Sequence, residues 1–379
     1  MDLILGIIIG IIVLVILVVV HEFGHAVVAR RNGVVVEEFG IGFPPRAWAK
    51  KLKNGVLFSL NWLPLGGFVK LQGEYDASDK KGDYGAATFW QKTRILLAGV
   101  LVNWGVAALL LTILALVGLP KILPDQFSIA SDTHQVSEPV LLSSVVKDYP
   151  AAKAGLQDGD TITSVNGEKI ETVGEFIALT KEKKGTTVAV DFVRDGQNMS
   201  ANVALRDTNT GVFGSTLSQK QLIRATWSAP IVGVATTGQF TWVTLQGLGQ
   251  LVGNFFSGLF LQLSPNEDTR KVATENLEAA GNSVAGPIGI LGTIFPAASK
   301  AGPTEVLFLA AIISLTLAVM NTLPIPALDG GRWFVMAIYK IRKKKLTKER
   351  EEKIQAIGFT SLMILILVIT IGDVAKLFN

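Results

Sequence analysis

Residues 3–25 read LILGIIIGIIVLVILVVVHEFGH, eighteen uninterrupted aliphatic or glycine residues running straight into His21-Glu22-Phe23-Gly24-His25. At 1.5 Å per residue the run reaches roughly 27 Å, enough to cross the hydrocarbon of a bilayer. Asp2 stands where a secretory signal would be basic, and no small-residue cleavage site follows, so the segment is expected to stay as a first span. On a helix the two histidines, four residues apart, share one face. They can share one zinc ion, with Glu22 between them in reach of a water beside the metal. The chain has only three histidines in 379 residues, and random placement gives about 0.001 such motifs. Ionisable groups at membrane depth are costly, which argues against idle histidines at a helix end.

The rest of the composition agrees with a membrane protein. Hydrophobic residues make up 49% and charged residues 17%, too apolar for a soluble chain of this length. With no cysteine, disulfides, thiolate metal ligands and a thiol nucleophile are excluded. A net charge of +4 gives nucleic-acid binding no support. Besides residues 1–29, spans are expected at 95–120, 306–340 and 356–379, giving a polytopic α-helical protein of four transmembrane helices. The stretch from Arg30 to Arg94 holds eleven basic residues against six acids, and Lys340–Lys353 holds eight against three. Loops 30–94 and 341–355 are therefore expected in the cytosol, with the termini and the middle of the chain outside. Ala225–Pro265 carries no charge over forty-one residues, yet Gln239, Gln246, Gln250 and Asn254 recur at helical spacing. One more crossing would put the two basic loops on opposite sides, so the linker 208–305 is expected to hold an interfacial or re-entrant amphipathic helix.

A catalytic zinc needs a third protein ligand and an open position. Positions 28 and 31 are Val and Arg, so HExxH does not continue to a third histidine nearby, and His134 lies in the middle of the chain. An acid is then required. Glu37 and Glu38 are close in sequence but sit in a hydrophilic loop. Asp329 is better placed, in Asn321-Thr322-Leu323-Pro324-Ile325-Pro326-Ala327-Leu328-Asp329-Gly330-Gly331, where two prolines break the third apolar segment. Irregular backbone at membrane depth is tolerated where it lines a cavity.

After a linker at 121–137, residues 138–207 alternate short apolar runs with Asp-Gly and Asn-Gly turns, plus one helix around Val173–Lys183. Tyr149-Pro150-Ala151-Ala152-Lys153-Ala154-Gly155-Leu156-Gln157-Asp158-Gly159-Asp160, followed by Val165-Asn166-Gly167, resembles a PDZ domain. Such α/β domains bind extended peptide as an added strand.

HEFGH on a first span, PIPALDGG on a later one and a PDZ-like insert between them resemble the bacterial PDZ-containing branch of the site-2 proteases, intramembrane zinc metalloproteases of regulated proteolysis. Gly99-Val100-Leu101-Val102-Asn103, Gly286-Pro287-Ile288-Gly289 and Pro64-Leu65-Gly66-Gly67-Phe68-Val69-Lys70 also match that branch, so the resemblance covers nearly the whole chain. It implies His21, His25 and Asp329 as ligands of Zn2+, Glu22 as general base, and Asn321 as a residue that holds substrate or the oxyanion. It also implies single-span membrane protein substrates, such as anti-sigma factors or signal peptide remnants, already trimmed by a first protease. The location it implies is the inner (plasma) membrane, with the active site near the cytosolic side. Many relatives carry two PDZ-like domains, and this chain has room for one.

Phe39–Phe43 and Leu57–Leu71 are apolar, alternating and punctuated by glycine, as suits membrane-dipping β-hairpins. Gly67, Phe68 and Val69 are expected on an edge strand that holds unwound substrate. Two other classes compete with the protease. A membrane scaffold tethering partners through the PDZ-like domain would not need an intact Glu22. A metal transporter would need more intramembrane acids than the spans contain.

Overall fold

The computed structural model describes residues 2–75 and 77–378. Its first elements are helix α1 (Asp2–Arg31), strands β1 (Val36–Lys51) and β2 (Leu57–Leu71), and helix α2 (Phe89–Val117). Next come β3 (Leu119–Pro120), β4 (His134–Ser137), β5 (Val140–Val145), α3 (Pro150–Lys153), β6 (Thr161–Val165), β7 (Glu168–Lys169), α4 (Val173–Glu182), β8 (Thr187–Arg194), β9 (Gln197–Ala204), β10 (Ser215–Ser218) and β11 (Gln221–Arg224). Helices α5 (Ala229–Leu261), α6 (Glu267–Asn282), α7 (Pro287–Gly289), a π turn (Ile290–Ile294), α8 (Phe295–Ala301), α9 (Pro303–Met320), α10 (Asp329–Ile341) and α11 (Lys348–Phe378) complete the chain. Residues 1–114 with 230–379 form one compact unit, and residues 115–229 form another.

Four helices of the first unit, α1, α2, α9 and most of α11, are long and apolar enough to cross a membrane. Leu3, Ile4, Ile8, Ile12 and Ile16 stay exposed on α1, a row of aliphatic side chains that fits lipid better than water. Small residues let these helices approach. A Cβ at Gly6 would lie 2.4 Å from Pro296 Cα, and one at Gly10 2.7 Å from the Phe295 ring, which brings α8 onto the N-terminal half of α1. Ser314 of α9 donates its hydroxyl to the Asn103 carbonyl of α2 at 2.9 Å.

Strands β1 and β2 each fold back, so that β1 pairs twice with β2. Phe39 faces both Val69 and Phe58, while Trp48 faces Leu60 and Lys51 faces Leu57. The lateral order is therefore 46–51, 57–61, 36–41 and 67–71, which leaves 67–71 on an edge. Trp62, 71% exposed, and the exposed Phe43, Trp48 and Leu63 crowd the far end of this sheet.

Two expectations change. Residues 306–340 are two helices, because α9 stops at Met320 and α10 starts at Asp329. Residues 225–265 hold an unbroken 33-residue helix rather than a re-entrant one. It runs antiparallel along α2, with Trp104 bonding Thr241 at 3.1 Å and Gly233 against Thr112. It therefore packs along one of the candidate spans. Thr237, Thr241 and Thr244 return their hydroxyls to the carbonyls of Gly233, Thr237 and Phe240, which removes their need for water.

The second unit centres on a sheet of order β10-β5-β6-β8-β9, with β7 beside β6. Val140, Leu142, Ile162, Phe176, Val188, Val190 and Val203 fill its core. The unit reaches beyond residue 207: β10 pairs with β5, and Val212 and Phe213 enter the core. Ser215-Thr216-Leu217-Ser218 is short and polar, without the alternation that marks a strand in sequence. Helix α4 opens with a capping box of Thr172 and Glu175.

Candidate metal centre

His21 and His25 stand one turn apart near the end of α1, both buried. Asp329 reaches them as the first residue of α10. The segment before it is tightly folded. The Gly330 amide donates to the Asn321 carbonyl at 2.7 Å, and Ala327 takes a left-handed φ of 77° while its amide bonds Gln355 at 2.6 Å. A Cβ at Gly330 would fall 2.4 Å from Thr322, and one at Gly331 only 1.9 Å from the Ile325 carbonyl, so the two glycines let the loop fold over the first turn of α10. Pro326 in turn needs Gly358 of α11, where a Cβ would lie 2.3 Å from the Pro326 carbonyl.

Further along α10, Arg332 bonds Glu351 at 3.2 Å and the carbonyl of Glu74, and its guanidinium stands 4.6 Å from the Tyr84 ring. Burial pushes the Glu74 carboxyl above its usual range against the pull of Arg332. Trp333 donates to Thr93 of α2 at 3.0 Å. Asp329 thus sits on a helix tied to its neighbours on three sides.

The donor atoms converge. His21 Nε2, His25 Nε2 and Asp329 Oδ2 are each 3.1 Å from the other two. Three corners of a zinc tetrahedron with bonds of about 2.0–2.1 Å lie about 3.3–3.4 Å apart, so the set fits. His25 Nδ1 donates to the Ile95 carbonyl at 2.7 Å, which leaves its Nε2 as a lone pair facing a carboxylate. A neutral ring so placed calls for a cation between it and the carboxylate, and the bond to Ile95 is the outer partner a metal-bound histidine ordinarily has. Gly99 of α2 completes the cradle: a Cβ there would come within 2.5 Å of His25 Nε2 and of His21 Cε1. Among the described residues His21, His25 and Asp329 are the only group of three acids or histidines able to hold one ion.

The other sequence candidates fall as follows. Glu22 lines two cavities that also touch Asp329, one of about 620 Å³ and one of about 190 Å³. Its carboxylate accepts the Val69 amide, and Gly67 lies against its stem. Phe68 and Val69 line the larger cavity, and Asn321 lines the smaller one. Glu37 and Glu38 are not at the site. Lys70 pairs with Glu37 at 2.9 Å, and Arg46 pairs with Glu38 at 2.9 Å. The Glu37 carboxylate holds the Lys70 amine above its ordinary value. His134 belongs to β4 of the second unit, opposite Arg224. Sequence reasoning assigns no role to Gly99, Asn103, Tyr84 or Arg332. For Gly99 the available signal is its position within Gly99-Val100-Leu101-Val102-Asn103.

Comparison with known proteins gives the same picture. The profile of peptidase family M50 matches residues 9–365. A zinc metalloprotease RasP of Shouchella clausii is 29% identical over 95% of this chain and 96% of its own. The regulator of sigma-W protease RasP of Bacillus subtilis is 26% identical over 94% and 95%. Among solved structures, the PDZ domain of an SdrC-like protein from Listeria monocytogenes is 30% identical over 24% of this chain and 93% of its own, with a TM-score of 0.19. With its apolar helices, its zinc-type donor set and a family match spanning almost its whole length, the chain belongs to peptidase family M50, the site-2 proteases, and is an intramembrane zinc metalloprotease.

Proposed function

We propose that His21, His25 and Asp329 hold the zinc ion and that Glu22 is the base of peptide hydrolysis. The convergence of three donor atoms to 3.1 Å beside Glu22 carries this reading. When bound, zinc polarises a carbonyl and makes water acidic enough to attack near neutral pH. Glu22 takes the proton of the attacking water and returns it to the leaving nitrogen. The Val69 amide orients the Glu22 carboxylate for both transfers. Asn321, beside Glu22 and Asp329 in the smaller cavity, is suited to steady negative charge as it develops on the scissile carbonyl oxygen.

A transmembrane helix has its backbone groups paired and cannot be attacked until unwound. Edge residues 67–71, with Gly67, Phe68 and Val69 beside Glu22, offer backbone pairing to such a strand. The exposed Phe43, Trp48, Trp62 and Leu63 support insertion of the hairpins into the bilayer. We assign four spans to α1, α2, α9 and α11. The basic loops support a cytosolic side for 30–94 and 341–355, and an extracytoplasmic side for the second unit. In a bacterial inner membrane the active site would then open near the cytosol. The unit's sheet and capping helix fit a PDZ-like domain that filters substrates by the bulk of their outer part. The name of the Bacillus subtilis relative favours anti-sigma factors as substrates, once trimmed to single spans; signal peptide remnants have the same form.

The test is zinc content and cleavage of a transmembrane peptide by purified wild type, Glu22→Gln and Asp329→Ala. Glu22→Gln should keep one zinc per chain and lose turnover, while Asp329→Ala should lose both. Near-normal turnover in Glu22→Gln would end the base assignment.

A further inference from the structure

Asn103 lies in the apolar middle of α2 and is 1% exposed, yet neither its Nδ2 nor its Oδ1 has a hydrogen-bond partner among the described residues. Leaving such a group unpaired costs about 1–3 kcal/mol. Thr93 and Thr112 of the same helix avoid that cost by bonding the carbonyls of Phe89 and Ala108. Helix packing alone does not call for a carboxamide here, because the contact with α9 uses the backbone carbonyl of Asn103. That contact also stops the side chain from swinging away with its helix.

The position is informative. Asn103 follows Gly99 by one helical turn, on the face of α2 that presses against His21 and His25. It lines the cavity of about 190 Å³, together with Glu22, Asp329 and Asn321. Val18, Leu317 and Ala327 supply its apolar wall, and His21 completes the lining. Glu22, Ala327 and Asp329 also border the larger cavity, so a chain held at these residues touches both.

A carboxamide with both ends free offers a donor and an acceptor side by side, which match the C=O and N–H that one residue of an extended strand presents on the same side. A helical substrate has no such pair to spare. We propose that Asn103 binds substrate, its carboxamide pairing with the backbone N–H and C=O of one residue of the unwound chain next to the scissile bond, while the apolar part of the wall takes a neighbouring side chain. This rests on the protease reading above. It adds a backbone subsite on α2 that favours opened over helical peptide. Water alone would satisfy the amide but would leave the apolar half of the cavity without purpose.

Backbone ester substitution tests the pairing. A transmembrane peptide is made with one amide at a time replaced by an ester, over three positions on each side of the cleaved bond. Each peptide is assayed with zinc-loaded full-length wild type, Asn103→Ala and Asn103→Leu in lipid nanodiscs. We expect Asn103→Ala to lower kcat/KM about tenfold with zinc content and cleavage site unchanged. One ester position should lower wild-type kcat/KM about tenfold and that of Asn103→Ala less than twofold. Asn103→Leu, which preserves packing, should behave like Asn103→Ala. Binding is read separately: in a zinc-free Glu22→Gln background, Asn103→Ala should weaken peptide affinity about fivefold. Equal ester effects in wild type and variants at every position, or unchanged affinity, would overturn the proposal and leave the carboxamide to water. A wild type that loads zinc and cleaves none of the peptides would instead overturn the protease reading beneath it.

Discussion

Replacing Gly99 by alanine puts one carbon against the facing imidazoles of His21 and His25. The added Cβ would stand 2.5 Å from His25 Nε2 and His21 Cε1 and 2.6 Å from His21 Nε2. Ordinary contact begins at about 3.5 Å, so each imidazole must retreat by about 1 Å or α2 must move as far. The helix is held by Ser314 on the Asn103 carbonyl and by Trp333 on Thr93, so the rings are expected to yield. Zinc sites tolerate ligand displacements of about 0.2 Å. We expect zinc affinity to fall at least about 100-fold, or roughly 2.7 kcal/mol, with turnover lost in proportion. Gly105→Ala on the same helix is the control, since its Cβ meets nothing within 4 Å. It should bind zinc normally and be neutral or up to about 1 kcal/mol more stable. The assay is competition with a calibrated chelator on full-length protein in detergent, with helicity checked by circular dichroism. If Gly99→Ala binds zinc within a factor of three of wild type and still cleaves peptide, the three donor atoms beside Gly99 are not the metal site.

Three further outcomes are expected. Val69→Pro removes the amide that Glu22 accepts, so cleavage of a stable helical peptide and of one weakened by Gly-Pro should fall alike with zinc unchanged; a loss confined to the stable helix would assign that amide to substrate. Deleting residues 138–218, which removes β10 with the strand it pairs to, should preserve cleavage of a short peptide and relax selection against bulky outer domains; a folded, zinc-loaded deletion that cannot cut the short peptide contradicts the filter. Acid should loosen the second unit. Burial raises the Asp160 and Asp132 carboxyls, but the Arg194 guanidinium at 2.7 Å in one case, and the amides and hydroxyls of Ser228 and Thr226 in the other, outweigh it and hold both below the usual carboxylate range. The native unit therefore binds fewer protons than the unfolded chain, and this stabilisation is full above about pH 4 and lost as pH falls through the lowered values. Hydrogen exchange of residues 115–229, corrected for intrinsic rates, should hold its protection down to about pH 4 and lose it from there towards about pH 2, less steeply in Asp132→Asn; a flat profile in wild type over that lower range would contradict it.

Local chemistry is what the sequence makes legible. His21 and His25 pair through a four-residue helical spacing, and the run before them is apolar enough to be read without neighbours. Asp329 is legible because Pro324 and Pro326 interrupt an apolar run and leave an acid at its end. The role of Gly99 is not, since a glycine in an apolar helix looks the same whether it faces lipid, a helix or an imidazole. Asn103 shows as an interruption, but which group it faces depends on how α2 is rotated against α1. On α5 the glutamine spacing marks a polar face, and Gln246 and Gln250 are exposed, but no sequence pattern foresees threonines bonded within their own helix. Strand β10 is invisible because three polar residues and a single leucine carry no pattern, and only the partner β5 makes them a strand.

The ligand set also has an order in time. His21 and Asp329 are 308 residues apart, with the entire second unit encoded between them. A ribosome therefore delivers the two histidines and Glu22 first and Asp329 about 300 residues later. Until α10 has been made and threaded against α1, the chain holds a base and two imidazoles but no three-point grip on a metal. Closing so long a loop also makes this contact among the slowest to form. On the proposed ligand set, a membrane protease built this way stays inert while the helices made before α10 pass beside it, and becomes competent only when α10 is in place.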